Sequence, residues 1–179
     1  MTASGATARD KRLAALGTAV FAVAPATVAG LIPWLVTRWR VQQPVPGGLP
    51  AQCAGVLLIG AGAAVITNSV VRFALEGVGT PAPFAPPKHL VVGGFYRFVR
   101  NPMYVAIGAA VTGQGLVLGQ PKVFGLAALG AVPVVAFVRF YEEPTLARKF
   151  GVDYDVYCKN VPRWVPRRPH GGRANPAAA

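Results

Sequence analysis

Acid is scarce in this chain, and two of its six carboxylates stand side by side. Glu142 and Glu143 close an apolar run that starts at Val123, where a helix C-terminus carries partial negative charge and disfavours acids. An acid pair in that place needs a reason. One reason is local: Pro144 can start a new helix whose positive end the two glutamates cap. The other is chemical, because a carboxylate accepting two hydroxyl hydrogen bonds is a common way to hold a sugar diol. A second cluster lies upstream, in Arg97-Phe98-Val99-Arg100-Asn101-Pro102-Met103-Tyr104. Asn101 offers an N-cap acceptor and Pro102 suits the first helical position, so a helix should begin here with free N–H groups at its start. With Arg97 and Arg100 one turn earlier, that start suits a carboxylate or phosphate, or equally the lipid headgroups. Apolar and aromatic side chains near Leu90, Val91 and Tyr96 could bury a purine and face a sulfonium cation.

The two clusters form one site only if the chain between them doubles back. Pro102 to Gln120 is 19 residues and Val123 to Tyr141 is also 19. At roughly 1.5 Å per residue each helix would span about 28 Å. Gln120, Pro121 and Lys122 leave room only for a tight antiparallel hairpin, whose open ends then meet. Asn101 and Glu142 are therefore expected at the same depth, with Tyr96, Tyr104 and Tyr141 around them.

Composition says what surrounds the hairpin. Of 179 residues, 53% are hydrophobic and only 13% charged, about half the charge of an ordinary soluble domain. Four apolar runs follow: Leu13–Val36, Ala51–Val71, Met103–Pro121 and Val123–Val138, the last extended by Phe140 and Tyr141. Spans need roughly 17–25 residues, so the expected fold is an all-α integral membrane protein of about four transmembrane helices. The first run is too long for a signal peptide's apolar core and is expected to stay attached. Fifteen of the eighteen Lys and Arg fall on one side of such a bundle, which places both termini in the cytoplasm. Trp34 and Trp39 suit the opposite interface. The basic surplus of +12 reports orientation rather than nucleic acid, since no aromatic-plus-basic interleaving accompanies it. Cys53 and Cys158 lack disulfide or metal spacing, and no metal is expected. His89 and His170 are isolated and read as non-catalytic.

The C-terminal half resembles a known family. Gly94-x-Tyr96-x-x-x-Arg100-Asn101-Pro102-x-Tyr104, a hydrophobic hairpin, Glu142-Glu143, and then Phe150-Gly151-x-x-Tyr154-x-x-Tyr157-x-x-x-Val161-Pro162-Arg163 look like the isoprenylcysteine carboxyl methyltransferase and phospholipid methyltransferase superfamily. The resemblance covers residues 88–168 and suggests a bacterial-type member. It implies an integral-membrane methyltransferase that uses S-adenosylmethionine without a Rossmann fold, the cofactor being wrapped by the loop entering the hairpin and by the segment after it. Carried over, Leu90, Val91 and Tyr96 would line the adenosine and methionine pocket. Arg100, Asn101, Pro102 and Tyr104 occupy the helix-start motif, and Glu142, with Glu143 beside it, is the carboxylate expected to reach the cofactor. Arg139 lies near the position of a substrate-binding arginine in eukaryotic members. Asn101 replaces their histidine and Ala106 a frequent glycine. Asn can donate and cap but cannot shuttle a proton at neutral pH, so no catalytic base is assigned.

On this reading residues 1–76 hold two helices, 77–168 the cofactor-binding loop, hairpin and an amphipathic helix, and 169–179 a flexible tail. The Pro-rich stretch 80–87 should be an extended wrap. Leu146, Phe150, Tyr154 and Tyr157 form one stripe of a downstream helix, read either as membrane-surface packing or as a lid over the cofactor. Val161–Arg167 reads as a basic strip along the headgroups. Expected partners are membrane lipids and a lipophilic or small thiol, carboxylate or amine methyl acceptor. Two other classes compete: an NADPH-dependent membrane reductase of sterol-reductase-like architecture, and a four-span transporter or scaffold with Asn68 and Gln114 as its in-membrane polar residues.

Overall fold

The computed structural model describes residues 23–43, 45–76 and 90–168. The upstream stretch Leu13–Ala22, the 80–87 wrap, Lys88, His89, His170 and the 170–179 tail lie outside the described residues. Among the described residues every regular element is helical. Helix α1 (Val23–Thr37) and helix α2 (Gly48–Glu76) are followed by a short 3-10 turn, Gly94–Arg97, and then by helix α3 (Pro102–Leu118). Helix α4 (Pro121–Phe150) and helix α5 (Val152–Asn160) complete the order.

Two helices are long and apolar enough to cross a membrane, Gly48–Arg72 within α2 and α4 itself. The described part of α1 and the whole of α3 are shorter apolar helices. At 17 residues, α3 sits at the lower end of what a bilayer core requires.

α3 is nonetheless the best-buried helix, because α2 packs along most of its length through a seam of small residues. A Cβ on Gly113 would stand 2.6 Å from the Gly55 carbonyl oxygen, and one on Gly62 would stand 2.7 Å from that of Ala106. Only hydrogen at those positions lets the backbones approach so closely. Ala106, where relatives of the resembled family often carry glycine, is buried in this seam.

The hairpin forms as its sequence implies. Gly119 ends α3 with a left-handed φ of 64°, its N–H donating to the Gly115 carbonyl, and Gln120 leads directly into Pro121 at the start of α4. Polar groups fasten this far end. The Gln42 N–H donates to the Leu118 carbonyl at 2.9 Å, the Gln120 side-chain amide donates to the Arg40 carbonyl, and Gln114 Nε2 donates to the Ala29 carbonyl at 2.6 Å. Gln114 is thus a tie between α1 and α3.

Two expectations need correction. α4 does not stop at Tyr141 for Pro144 to begin a separate helix: it runs through a widened π-helical turn, Val138–Glu142, and on to Phe150. Proline lacks the N–H that would bond four residues back, and Thr145 Oγ1 fills the neighbouring place by donating to the Tyr141 carbonyl at 2.7 Å. The downstream stripe, in turn, is carried by two helices. Gly151, with a φ of 52° and ψ of −125°, separates α4 from α5 in a conformation glycine alone adopts readily.

Candidate functional site

The open ends of the hairpin meet, and the acids are what join them. The Tyr104 hydroxyl donates to Glu142 Oε2 at 3.1 Å, and Arg100 Nη1 donates to Glu143 Oε1 at 2.8 Å. The π-helical turn explains why both adjacent glutamates find partners on the α3 side. By widening the helix there it turns the two side chains away from their regular positions, a device often found at functional sites.

The helix start departs from expectation in one respect. Pro102 takes its first position, but the Asn101 side chain does not cap it. Asn101 is buried, and its Nδ2 donates instead to the Arg163 carbonyl at 3.2 Å, while its own carbonyl accepts from the Val105 N–H. A backbone ψ of 55° takes Asn101 out of the usual cap geometry. The two arginines also part company. Arg97 is exposed with its guanidinium 4.7 Å from the Phe98 ring, whereas Arg100 turns inward between Glu143 and Cys158 Sγ, 2.9 Å away.

The wall beside this pair is built from the segment before α3. Gly94 has a left-handed φ of 57° and lies so close to α2 that a Cβ there would meet Arg72 Nε at 2.6 Å and Asn68 Oδ1 at 3.0 Å. Asn68 therefore belongs to the support of this turn. Tyr96 is buried next to it, and burial pushes its hydroxyl above the usual phenol range, with Ser69 beside it pulling the other way. Tyr154, Tyr157 and Val161 form a small core on which Leu90, Val92, Leu146, Ala147, Phe150 and Cys158 pack. The Tyr157 hydroxyl donates to the Tyr96 carbonyl at 2.8 Å. Burial raises the Tyr154 and Tyr157 hydroxyls as well, so all three phenols stay protonated donors. The aromatic stripe thus faces the 90–92 segment of its own chain, and Val91 is buried within that segment.

Val161–Arg168 runs back across the helix start as an extended strip. Its Pro162 carbonyl accepts from the Arg100 N–H at 2.8 Å, and the Arg167 N–H donates to the Phe98 carbonyl at 3.0 Å. Arg163 binds Glu143 through two nitrogens, and that hydrogen bonding holds its guanidinium even more firmly protonated. Arg163 stood in the sequence reading only as the end of the resemblance motif, with no role attached, and Cys158 had no signal at this site, because their partners lie on other segments.

Arg139 stands apart from the glutamates. It is exposed and lines, with Ala131, Val132, Val135, Ala136 and Phe140, an apolar groove of about 360 Å³ on the outer face of α4. Tyr141 is likewise on the outer side, stacked on Phe137 with ring centroids 5.2 Å apart. Among the described residues no group of three or more His, Cys, Asp or Glu could hold a metal ion.

The donor set can be tested against a ligand bearing a diol and a carboxylate. Among the described residues Glu142 Oε1 accepts no hydrogen bond, and the buried Arg100 Nε has no partner. A carboxylate oxygen with free lone pairs and a buried guanidinium N–H without a partner are the acceptor and donor types that the two polar ends of S-adenosylmethionine call for.

The sequence model of the phospholipid methyltransferase family matches residues 51–153, more than half the chain. A phosphatidylethanolamine N-methyltransferase of Phaeosphaeria nodorum (strain SN15) is 39% identical over 69 residues, 38% of this chain and 7% of that protein. One of the same name from Pyrenophora tritici-repentis is 28% identical over 125 residues, 66% of this chain and 14% of that protein. The chain thus spans only a small part of the length of these curated relatives. No solved structure matches it.

Proposed function

The chain belongs to the phospholipid methyltransferase family, and from that premise we propose that it methylates the amine of a phospholipid headgroup at the membrane surface. Phospholipid N-methyltransferases of this family use S-adenosylmethionine as methyl donor. When bound, that cofactor supplies an already activated methyl group, so the protein's task is positioning and exclusion of water.

The observation that carries the reading is the Tyr104–Glu142 pair where the two hairpin ends meet. Glu142 Oε1 would hold the ribose hydroxyls, with Tyr104 fixing the carboxylate's orientation. Arg100 Nε and the helix start would take the amino-acid carboxylate. Leu90, Val91 and Tyr96 would bury the adenine. The acceptor would approach from the bilayer side, its acyl chain along the apolar groove of α4 and its phosphate toward the Arg139 guanidinium. On this reading both termini and the site lie on the cytoplasmic face, where the basic residues concentrate.

The test is methyl transfer from labelled S-adenosylmethionine in vesicles containing phosphatidylethanolamine. Label should enter the lipid fraction as N-methylated headgroup, and Glu142→Gln should reduce kcat/KM by about a hundredfold or more, the scale of about 2.7 kcal/mol. Label in an added prenylated cysteine rather than the phospholipid would move the reading to carboxyl methylation. Saturable binding of NADPH, with none of S-adenosylmethionine, would replace it with a reductase.

A further inference from the structure

Glu143 joins three stretches of chain that are distant in sequence: the segment entering α3, the last third of α4 and the strip after α5. Its Oε1 accepts from Arg100 Nη1 and from Arg163 Nε, each at 2.8 Å, and its Oε2 accepts from Arg163 Nη2 at 2.6 Å. Arg163 therefore grips the carboxylate as a fork, which fixes direction as well as distance. Three donors on two oxygens use most of what a carboxylate can accept. Both contacts are ion pairs, Arg100 with Glu143 at 2.8 Å and Arg163 with Glu143 at 2.6 Å.

The strip has little else to hold it. Residues 162–168 are half-buried or exposed, and only Val161 reaches the small aromatic core. Beyond the Val161 N–H, which donates to the Tyr157 carbonyl at the end of α5, the strip's main-chain contact is the Arg100 and Arg167 N–H bonds, with the Asn101 amide added from its side chain. A short extended segment with so few contacts opens at low free-energy cost unless a charged tie closes it. The strip meets the helix start at Phe98, Arg100 and Asn101, two residues beyond Tyr96, whose carbonyl accepts from the Tyr157 hydroxyl of the core that Leu90 packs on.

We propose that Glu143 is a positioning residue: with Arg100 and Arg163 it clasps the 161–168 strip over the start of α3 and so holds the cofactor pocket's wall in place. The cofactor half of this inference rests on the S-adenosylmethionine reading above. Division of labour follows, with Glu142 facing the ligand and Glu143 facing the protein.

The experiment uses the full chain in lipid nanodiscs, with Glu143→Gln, Arg163→Ala, their combination and the milder Arg163→Lys, which keeps the charge and loses the fork. Amide hydrogen exchange without ligand reads the clasp, and titration with S-adenosylmethionine reads its consequence. Expected in Glu143→Gln is about tenfold faster exchange at 98–101 and 162–167, with the α2–α3 seam unchanged, and about tenfold weaker cofactor binding. The loss should fall on KM for the cofactor more than on kcat. The double variant should be no worse than Glu143→Gln alone, because the Arg163 fork is already lost with the carboxylate. Should Glu143→Gln fail to fold, Arg163→Lys carries the test with smaller changes of the same sign. Unchanged exchange in the strip overturns the clasp, and weakened cofactor binding with unchanged exchange makes Glu143 a direct ligand instead. Failure of the parent protein to bind S-adenosylmethionine sinks the cofactor reading, while the exchange data still decide the clasp.

Discussion

Single side chains carry the division between ligand-facing and protein-facing acid. Tyr104 donates to Glu142, and that bond aims the carboxylate whose other oxygen accepts nothing among the described residues. A hydrogen bond to a charged group contributes about 1.5–3 kcal/mol to stability, so Tyr104→Phe should lower the melting temperature and, by releasing the Glu142 carboxylate, weaken S-adenosylmethionine binding by about tenfold or more. Isothermal titration beside a melting curve checks both, and a fall in melting temperature without loss of affinity would make the pair purely structural. The glutamates were legible in the sequence because acids at the end of an apolar run are rare, and Tyr104 because it stands one turn into a helix whose start Pro102 marks. Arg163 was legible only as a member of the resemblance motif and its role was not, since that role comes from a partner 20 positions away across a glycine break. Asn101 was half legible: its residue type pointed to a cap, and the structure employs the same amide to hold the strip.

Helices place these residues through contacts that are nearly featureless in sequence. The α2–α3 seam depends on glycines whose missing Cβ would strike backbone oxygen, so it cannot relax by moving a side chain. Gly113→Ala should therefore cost about 1–3 kcal/mol, as overpacking does, whereas Gly108→Ala on the same helix meets nothing within 4 Å and should be neutral or stabilising. Thermal melts in detergent of the two variants give the contrast, and equal melting temperatures would mean that the seam is looser than described. Hydropathy revealed that α2 and α3 exist, yet not that they pair. Small residues occur all along both helices, and only the backbone approach singles out Gly55, Gly62 and Gly113 from Gly60 and Gly108. The continuation of α4 past Glu142 was hidden for a different reason. Pro144 is a sound signal for a helix start, and only the widened turn before it lets the helix pass through.

The whole molecule is organised by which end of the hairpin faces which side of the bilayer. Lys122 is exposed at the tight end, and Arg167 and Arg168 are exposed on the strip at the open end. On the topology proposed above, the strip lies on the cytoplasmic side and Lys122 on the opposite side. In intact cells a membrane-impermeant thiol reagent should label Lys122→Cys and leave Arg168→Cys unlabelled until the membrane is opened. The reverse pattern would invert the topology. Charge asymmetry was readable from the sequence without any fold, whereas the 80–87 wrap and the two ends of the chain lie outside the described residues.

The π-helical turn at Val138–Glu142 has a genetic counterpart. Such a turn is a helix holding one residue more than its regular winding needs. Each residue advances a regular helix by roughly 100°, and the wide turn absorbs the one it has in excess, so deleting one residue between 138 and 142 would return α4 to regular winding and leave α5 and the strip near α3. Only the side chains inside the turn, Glu142 among them, would be re-aimed. In this stretch the chain can change length by one residue at the cost of one carboxylate's direction rather than of the fold.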